Sequence, residues 1–277
     1  MSFKTILAVT APTFDPEDID RAASLAEEAG AHLSVLLLGI ASPPPTMAEP
    51  MIPSLWLAER EEELEATRAK AAALRERLAA RGISYEVKWD YPYLSEADDV
   101  IARHGRYADV TLLGRSAGRD PDFRRKVYDG ALFSSSRPLL VTPEDGRSTL
   151  APQSLVIAWN ARPEAARAVR EALPMAIAAE EVIIAVVDPI EADTHHGADP
   201  GADLATYLAR HGARVTVKQI RTRDETVAEA LGLFSNGIGA DLLVMGAYGH
   251  SRLRERIFGG TTRDLLERPP LPLFLAR

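Results

Sequence analysis

The strongest constraint on this chain is an internal repeat of domain size. The segment ADVTLLG, Ala108–Gly114, is echoed by ADLLVMG, Ala240–Gly246. Each follows a helix-like run and leads into a glycine-containing stretch. Each then reaches a second helix and a proline-started apolar run, RPLLVTP from Arg137 and PPLPLFLAR from Pro269. The beginnings match as well: KTILAVTAP from Lys4 parallels QSLVIAWNA from Gln153. A repeat this long is a duplicated domain and not a short solenoid period. The halves are read as 1–145 and 152–277, joined by EDGRSTLAPQ at Glu144–Gln153.

Within each half, short β-rich runs alternate with longer amphipathic ones. In the second half the expected strands are Leu155–Trp159, Val182–Val187, Arg214–Ile220, Leu242–Met245 and Leu271–Leu275. The expected helices are Pro163–Ala178, Ala202–His211, Val227–Gly237 and Thr262–Glu267. Pro163 suits a first helical turn, where its missing N–H costs nothing. The nearly continuous apolar runs suit parallel strands covered on both faces. Strand–helix alternation then implies right-handed crossovers and an open parallel sheet. The fold class is α/β, as two tandem open five-stranded parallel-sheet domains of Rossmann-like architecture. The first half adds a Pro-rich stretch, SPPPTMAEPMIPS, and a long charged helix from about Leu55 to Arg81 that covers one sheet face.

Composition removes several function classes. The 277 residues contain no cysteine, which excludes disulfides, thiolate catalysis and zinc–thiolate or iron–sulfur sites. A net charge of -8 argues against broad attraction to nucleic acid or to an anionic membrane. No signal peptide or transmembrane run is evident, so a cytoplasmic protein is expected.

Ligands of open parallel sheets bind beyond the carboxyl ends of the strands, where the strand order reverses. In the second half this points to WNARPE, Trp159–Glu164, and to GAYGHSRLRERIFGGTT, Gly246–Thr262. Gly246 and Gly249 permit a sharp turn and close backbone approach. Gly259, Gly260, Thr261 and Thr262 stand at an expected helix N-terminus, which favours phosphate. No P-loop and no GxGxxG fingerprint is present.

The spacing Gly246-x2-Gly249-x9-Gly259, after a fourth strand and before a helix, resembles the nucleotide loop of the universal stress protein family. The resemblance extends in topology to both halves. It implies an adenine-nucleotide-hydrolase-like fold with pseudo-two-fold symmetry, and ATP in the second domain with Mg²⁺ as its companion. Asn160 stands where the family often has an aspartate near adenine and ribose. Val186 matches the strand end that meets adenine through its backbone. His250 is the histidine placed nearest such a ligand. The resemblance also implies a regulatory role in the stress response and pairing of last strands, either within the chain as a pseudo-dimer or in a homo-dimer. The alternative is a nucleotide-free scaffold acting through protein or small-molecule contacts.

The first-half loop departs from the pattern, with three residues between Gly114 and Gly118 and eleven between Gly118 and Gly130. Asp120 and Asp122 inside it would repel phosphate. That half is read as a degenerate copy without nucleotide. No dedicated catalytic residue and no metal site is expected. No group that would position an attacking water is evident, although some family members hydrolyse ATP slowly. The pair His195–His196, with Asp193 and Asp199, reads as a loop and not a ligand set, because adjacent histidines diverge. Arg252, Arg254, Arg256 and Arg263 read individually as solvated.

Overall fold

The computed structural model describes residues 3–44, 53–189, 199–247 and 260–277. Gly249, His250, Gly259, His195, His196, Asp193, Arg252, Arg254 and Arg256 lie outside the described residues. The chain divides into two compact units, Phe3–Arg137 and Pro138–Arg277.

The first unit runs β1 (Thr5–Thr10), α1 (Glu17–Ala29), β2 (His32–Leu38), α2 (Pro53–Ala79), β3 (Tyr85–Asp90), α3 (Ala97–Gly105) and β4 (Val110–Leu113). Its strands are parallel in the order β3-β2-β1-β4. Ile6, Leu7, Leu33 and Leu36 are fully buried in the central strands. The edge strand β3 carries Glu86 and Lys88, charges that discourage further pairing. The long helix α2 buries Thr67, Ala71, Leu74 and Leu78, the stripe expected of an amphipathic cover.

After β4 the sequence reading expects an irregular glycine loop. The chain is helical there instead: α4 (Arg115–Gly118), α5 (Pro121–Tyr128) and a π-helical turn over Asp129–Ser134. Asp120 is the N-cap of α5. Its Oδ1 accepts from the N–H groups of Asp122 at 3.1 Å and Phe123 at 3.0 Å, with Pro121 in the first turn. The carboxylate read as a repellent inside a loop is therefore a helix cap.

The second unit runs β5 (Leu139–Val141), β6 (Ser154–Ala158), α6 (Pro163–Ala178), β7 (Glu181–Val187), α7 (Ala202–Arg210), β8 (Val215–Ile220), α8 (Val227–Gly237), β9 (Leu242–Gly246), α9 (Gly260–Glu267) and β10 (Leu273–Ala276). The strand order is β5-β10-β9-β6-β7-β8. All pairs are parallel except β5 with β10, where Val141 faces Leu273 and Leu139 faces Leu275.

The ten strands fall five to each half of the sequence, β1–β5 before the linker and β6–β10 after it, as the sequence reading expects. The run at Leu139–Val141 pairs antiparallel with β10, the pairing of last strands within one chain that the family resemblance implies. Leu273, Phe274, Leu275 and Ala276 are all buried, so β10 is no solvated edge. Leu139, Leu140 and Val141 are equally buried and supply its partner. No helix among the described residues is long and apolar enough to cross a membrane.

Candidate functional site

In the second unit the chain goes from β6 outward through β7 to β8, then returns to the other side of β6 for β9 and β10. The order reverses between β6 and β9, which makes their carboxyl ends the topological switch point. Ala158 faces Met245 in that ladder, so Asn160 and Gly246 emerge side by side. On the other flank Ala158 faces Ala185, which brings the end of β7 to the same edge.

Gly246 is not an open cradle. A Cβ there would stand 2.5 Å from the backbone nitrogen of Ala165 and 2.6 Å from the carbonyl carbon of Glu164. The missing side chain lets β9 press against the first turn of α6, as a glycine does where two backbones approach closely. Glu164 is half-buried at this junction, and its Oε1 has no hydrogen-bond partner among the described residues.

Gly260, the first residue of α9, is different. A Cβ on it would meet no described residue within 4 Å. The first N–H groups of α9 have no partner inside the helix. Thr261 is half-exposed and can present a hydroxyl there. Thr262 is buried, so its side chain belongs to the packing of α9.

The turn between β6 and α6 is tightly built. The Oδ1 of Asn160 accepts from the N–H of Arg162 at 3.2 Å. Ala161 has a φ of 56°, a left-handed conformation that side-chain-bearing residues seldom adopt. Such strain persists where the surroundings over-determine it and clusters at binding sites. With its carbonyl oxygen engaged, Asn160 keeps its amide NH2, a donor where an aspartate would only accept.

Val186 is buried, and its side chain touches the α-carbon side of Gly201. Alternation along β7 decides which main-chain groups face the site. Val182 and Asp188 donate toward β8, to the carbonyls of Arg214 and Ile220. Glu181 donates toward β6, to Gln153, and Ala185 accepts there from Trp159. Even-numbered residues thus turn to β8 and odd-numbered ones to β6. Val187, half-exposed, is the residue that presents its N–H and C=O beside β6. The period-two pattern of the strand carries this distinction, but only with the register known.

The corresponding place in the first unit is filled by its own side chains. Gly114 follows β4 as Gly246 does in β9, and a Cβ on it would stand 2.5 Å from Cγ of Asp18. The buried Asp18 carboxylate accepts from the N–H of Ser116 at 2.8 Å and from its hydroxyl. The same hydroxyl accepts from the N–H of Asp15 at 3.1 Å. Arg115 donates to Asp15 at 3.2 Å. A carboxylate of the chain thus sits on the donors that follow the fourth strand. Asp18 and Glu164 occupy the same helical position, second in α1 and in α6, so the paired starts DPED and ARPE held the signal for this plug.

The mostly parallel α/β sheet with a topological switch point places the second unit among the open-sheet α/β folds. Residues 152–277 match the model of the Universal stress protein family. The fold of the whole chain resembles the crystal structure of a universal stress protein from Archaeoglobus fulgidus DSM 4304. The TM-score is 0.68 at 17% identity, covering 98% of each chain. It also resembles a functionally unknown protein from Pseudomonas aeruginosa PAO1, with a TM-score of 0.59, 16% identity, and 99% and 92% of the two chains covered. No curated protein matches the chain.

Proposed function

We propose that the second unit binds an adenine nucleotide, ATP with Mg²⁺, and that the protein acts as a nucleotide-responsive regulator in the stress response. The family match supports the stress-type role. The observation that carries nucleotide binding is the N-terminus of α9 in the crossover after β9, on the switch-point strand, together with the strained Asn160–Ala161 turn that follows β6. The phosphates would lie on the N–H groups of Gly260 and Thr261, with the Thr261 hydroxyl as a further donor. Asn160 would offer its NH2 to the ribose, and the adenine would meet the main chain at the end of β7. Glu164 at the base of the loop makes a divalent cation the natural companion of the phosphates, since an uncompensated carboxylate repels them. The Asp18 plug supports one nucleotide per chain. Bound nucleotide acts as a signal only if two conformations bind it unequally.

The test is calorimetry with Mg²⁺–ATP on the full chain and on Gly260→Glu. The new side chain has room, and a negative charge at a helix N-terminus favours folding while opposing phosphate. The expected result is one site in the wild type and affinity at least about tenfold lower in the variant, with the melting temperature kept or raised. Two sites would refute the plugged first unit. No binding to folded wild type would overturn the proposal and leave the scaffold reading.

A further inference from the structure

We infer that the groove between α8 and α9 docks a basic, amphipathic segment of a partner protein. The groove is open, with a volume of about 840 Å³. It exists because of Gly232: a Cβ there would already stand 3.1 Å from Cγ of Pro270, so a larger residue would fill the space between the helices. Leu265 is buried in its floor, while Leu233 stands at its rim 68% exposed. An exposed leucine beside an apolar floor is the kind of patch that marks an interaction surface.

Charge selects the occupant. Asp224, Glu225, Glu229 and Asp264 line the groove, and none forms an ion pair with a described residue. Glu229 is held by the Thr226 capping box, and Glu267 is paired with Arg263 at 2.8 Å. Among the described residues Arg268 is the single basic residue of the lining. Elsewhere the pattern differs: Asp98 has Lys126 at 2.7 Å and Asp15 has Arg115 at 3.2 Å. Among the described residues the groove therefore carries unpaired carboxylates on both walls over an apolar floor. Nucleic acid and anionic lipid are repelled by it. A segment with Lys or Arg at helical spacing can reach both walls while one apolar side chain covers Leu233. The eleven residues of α8 correspond to about three helical turns, which sets the length of such a segment. None of this depends on nucleotide.

The test uses the full chain without nucleotide and a fluorescein-labelled synthetic peptide with lysines on one helical face and leucines on the other. Its partner probe has glutamate for every lysine. Anisotropy should show binding of the lysine peptide only. The double variant Glu225→Lys/Asp264→Lys should weaken it by about tenfold or more, and Leu233→Ser by about threefold. A control of equal net charge, Glu61→Lys/Glu62→Lys on the exposed face of α2 in the first unit, should change it by less than about twofold. Equal weakening by the control would show only general attraction to an acidic protein and overturn the proposal. Binding of the glutamate peptide, or absence of binding by either, would overturn it too. Binding of spermine with no binding of the lysine peptide would assign the groove to small polycations instead.

Discussion

Gly246 and Gly260 look interchangeable in the sequence, yet their surroundings give them different work. Gly246 touches the backbone of α6, so Gly246→Ala should destabilise the second unit by about 1–3 kcal/mol through overpacking, read as a lower urea midpoint. A Cβ on Gly260 meets no described residue, so Gly260→Ala should leave the midpoint unchanged or raise it slightly. Asp18 is a third residue whose meaning depends on its neighbours. Asp18→Ala removes the acceptor of the Ser116 N–H and should cost about 1–3 kcal/mol in the first unit. Tyr91 shows the same dependence through its acidity. Burial first, and then its hydrogen bond to Glu63, pushes its phenol up to about 12. A raised folded pKa means the stability it contributes is complete below the ordinary value of 10.0 and is lost as pH rises toward 12. Absorbance titration of wild type against Tyr91→Phe should reveal one tyrosine that ionises late.

At the scale of elements, capping and clamping explain why the helices stay where the site needs them. Thr226 and Glu229 form a reciprocal capping box at the start of α8. Thr226→Ala should cost about 1 kcal/mol, measured by chemical denaturation. The helices α1 and α2 are tied by Arg77, whose Nε donates to Asp20 at 2.7 Å, with a second bond from its guanidinium. The hydrogen bond from Arg77 holds the Asp20 carboxyl below its ordinary value of 3.8. Because the folded pKa is depressed, this stabilisation is present above that value and is lost as pH falls through the folded one. The melting difference between wild type and Asp20→Asn should therefore be present at neutral pH and vanish in strong acid.

For the whole molecule, the informative element is β5. It is three residues long, yet it decides where the second unit begins. A fragment starting at Pro152 would expose the apolar β10 as an edge, whereas one starting at Pro138 keeps its antiparallel partner. The shorter fragment should aggregate or melt earlier, as light scattering during a thermal ramp would show. The sequence by itself determined the α/β class, the duplication, the strand-and-helix order and the switch-point loops. Those follow from periodicity and chain order, which are local or one-dimensional. It also carried the carboxylates of the first half, but pointed to Asp120 where Asp18 does the plugging. Only the tertiary structure decided that Gly246 is a packing glycine, that Val187 and not Val186 faces β6, and that Asp18 fills the first unit's place. Each of these depends on which atoms from distant parts of the chain come within a few ångströms, and hydrophobic pattern alone does not encode register or contact.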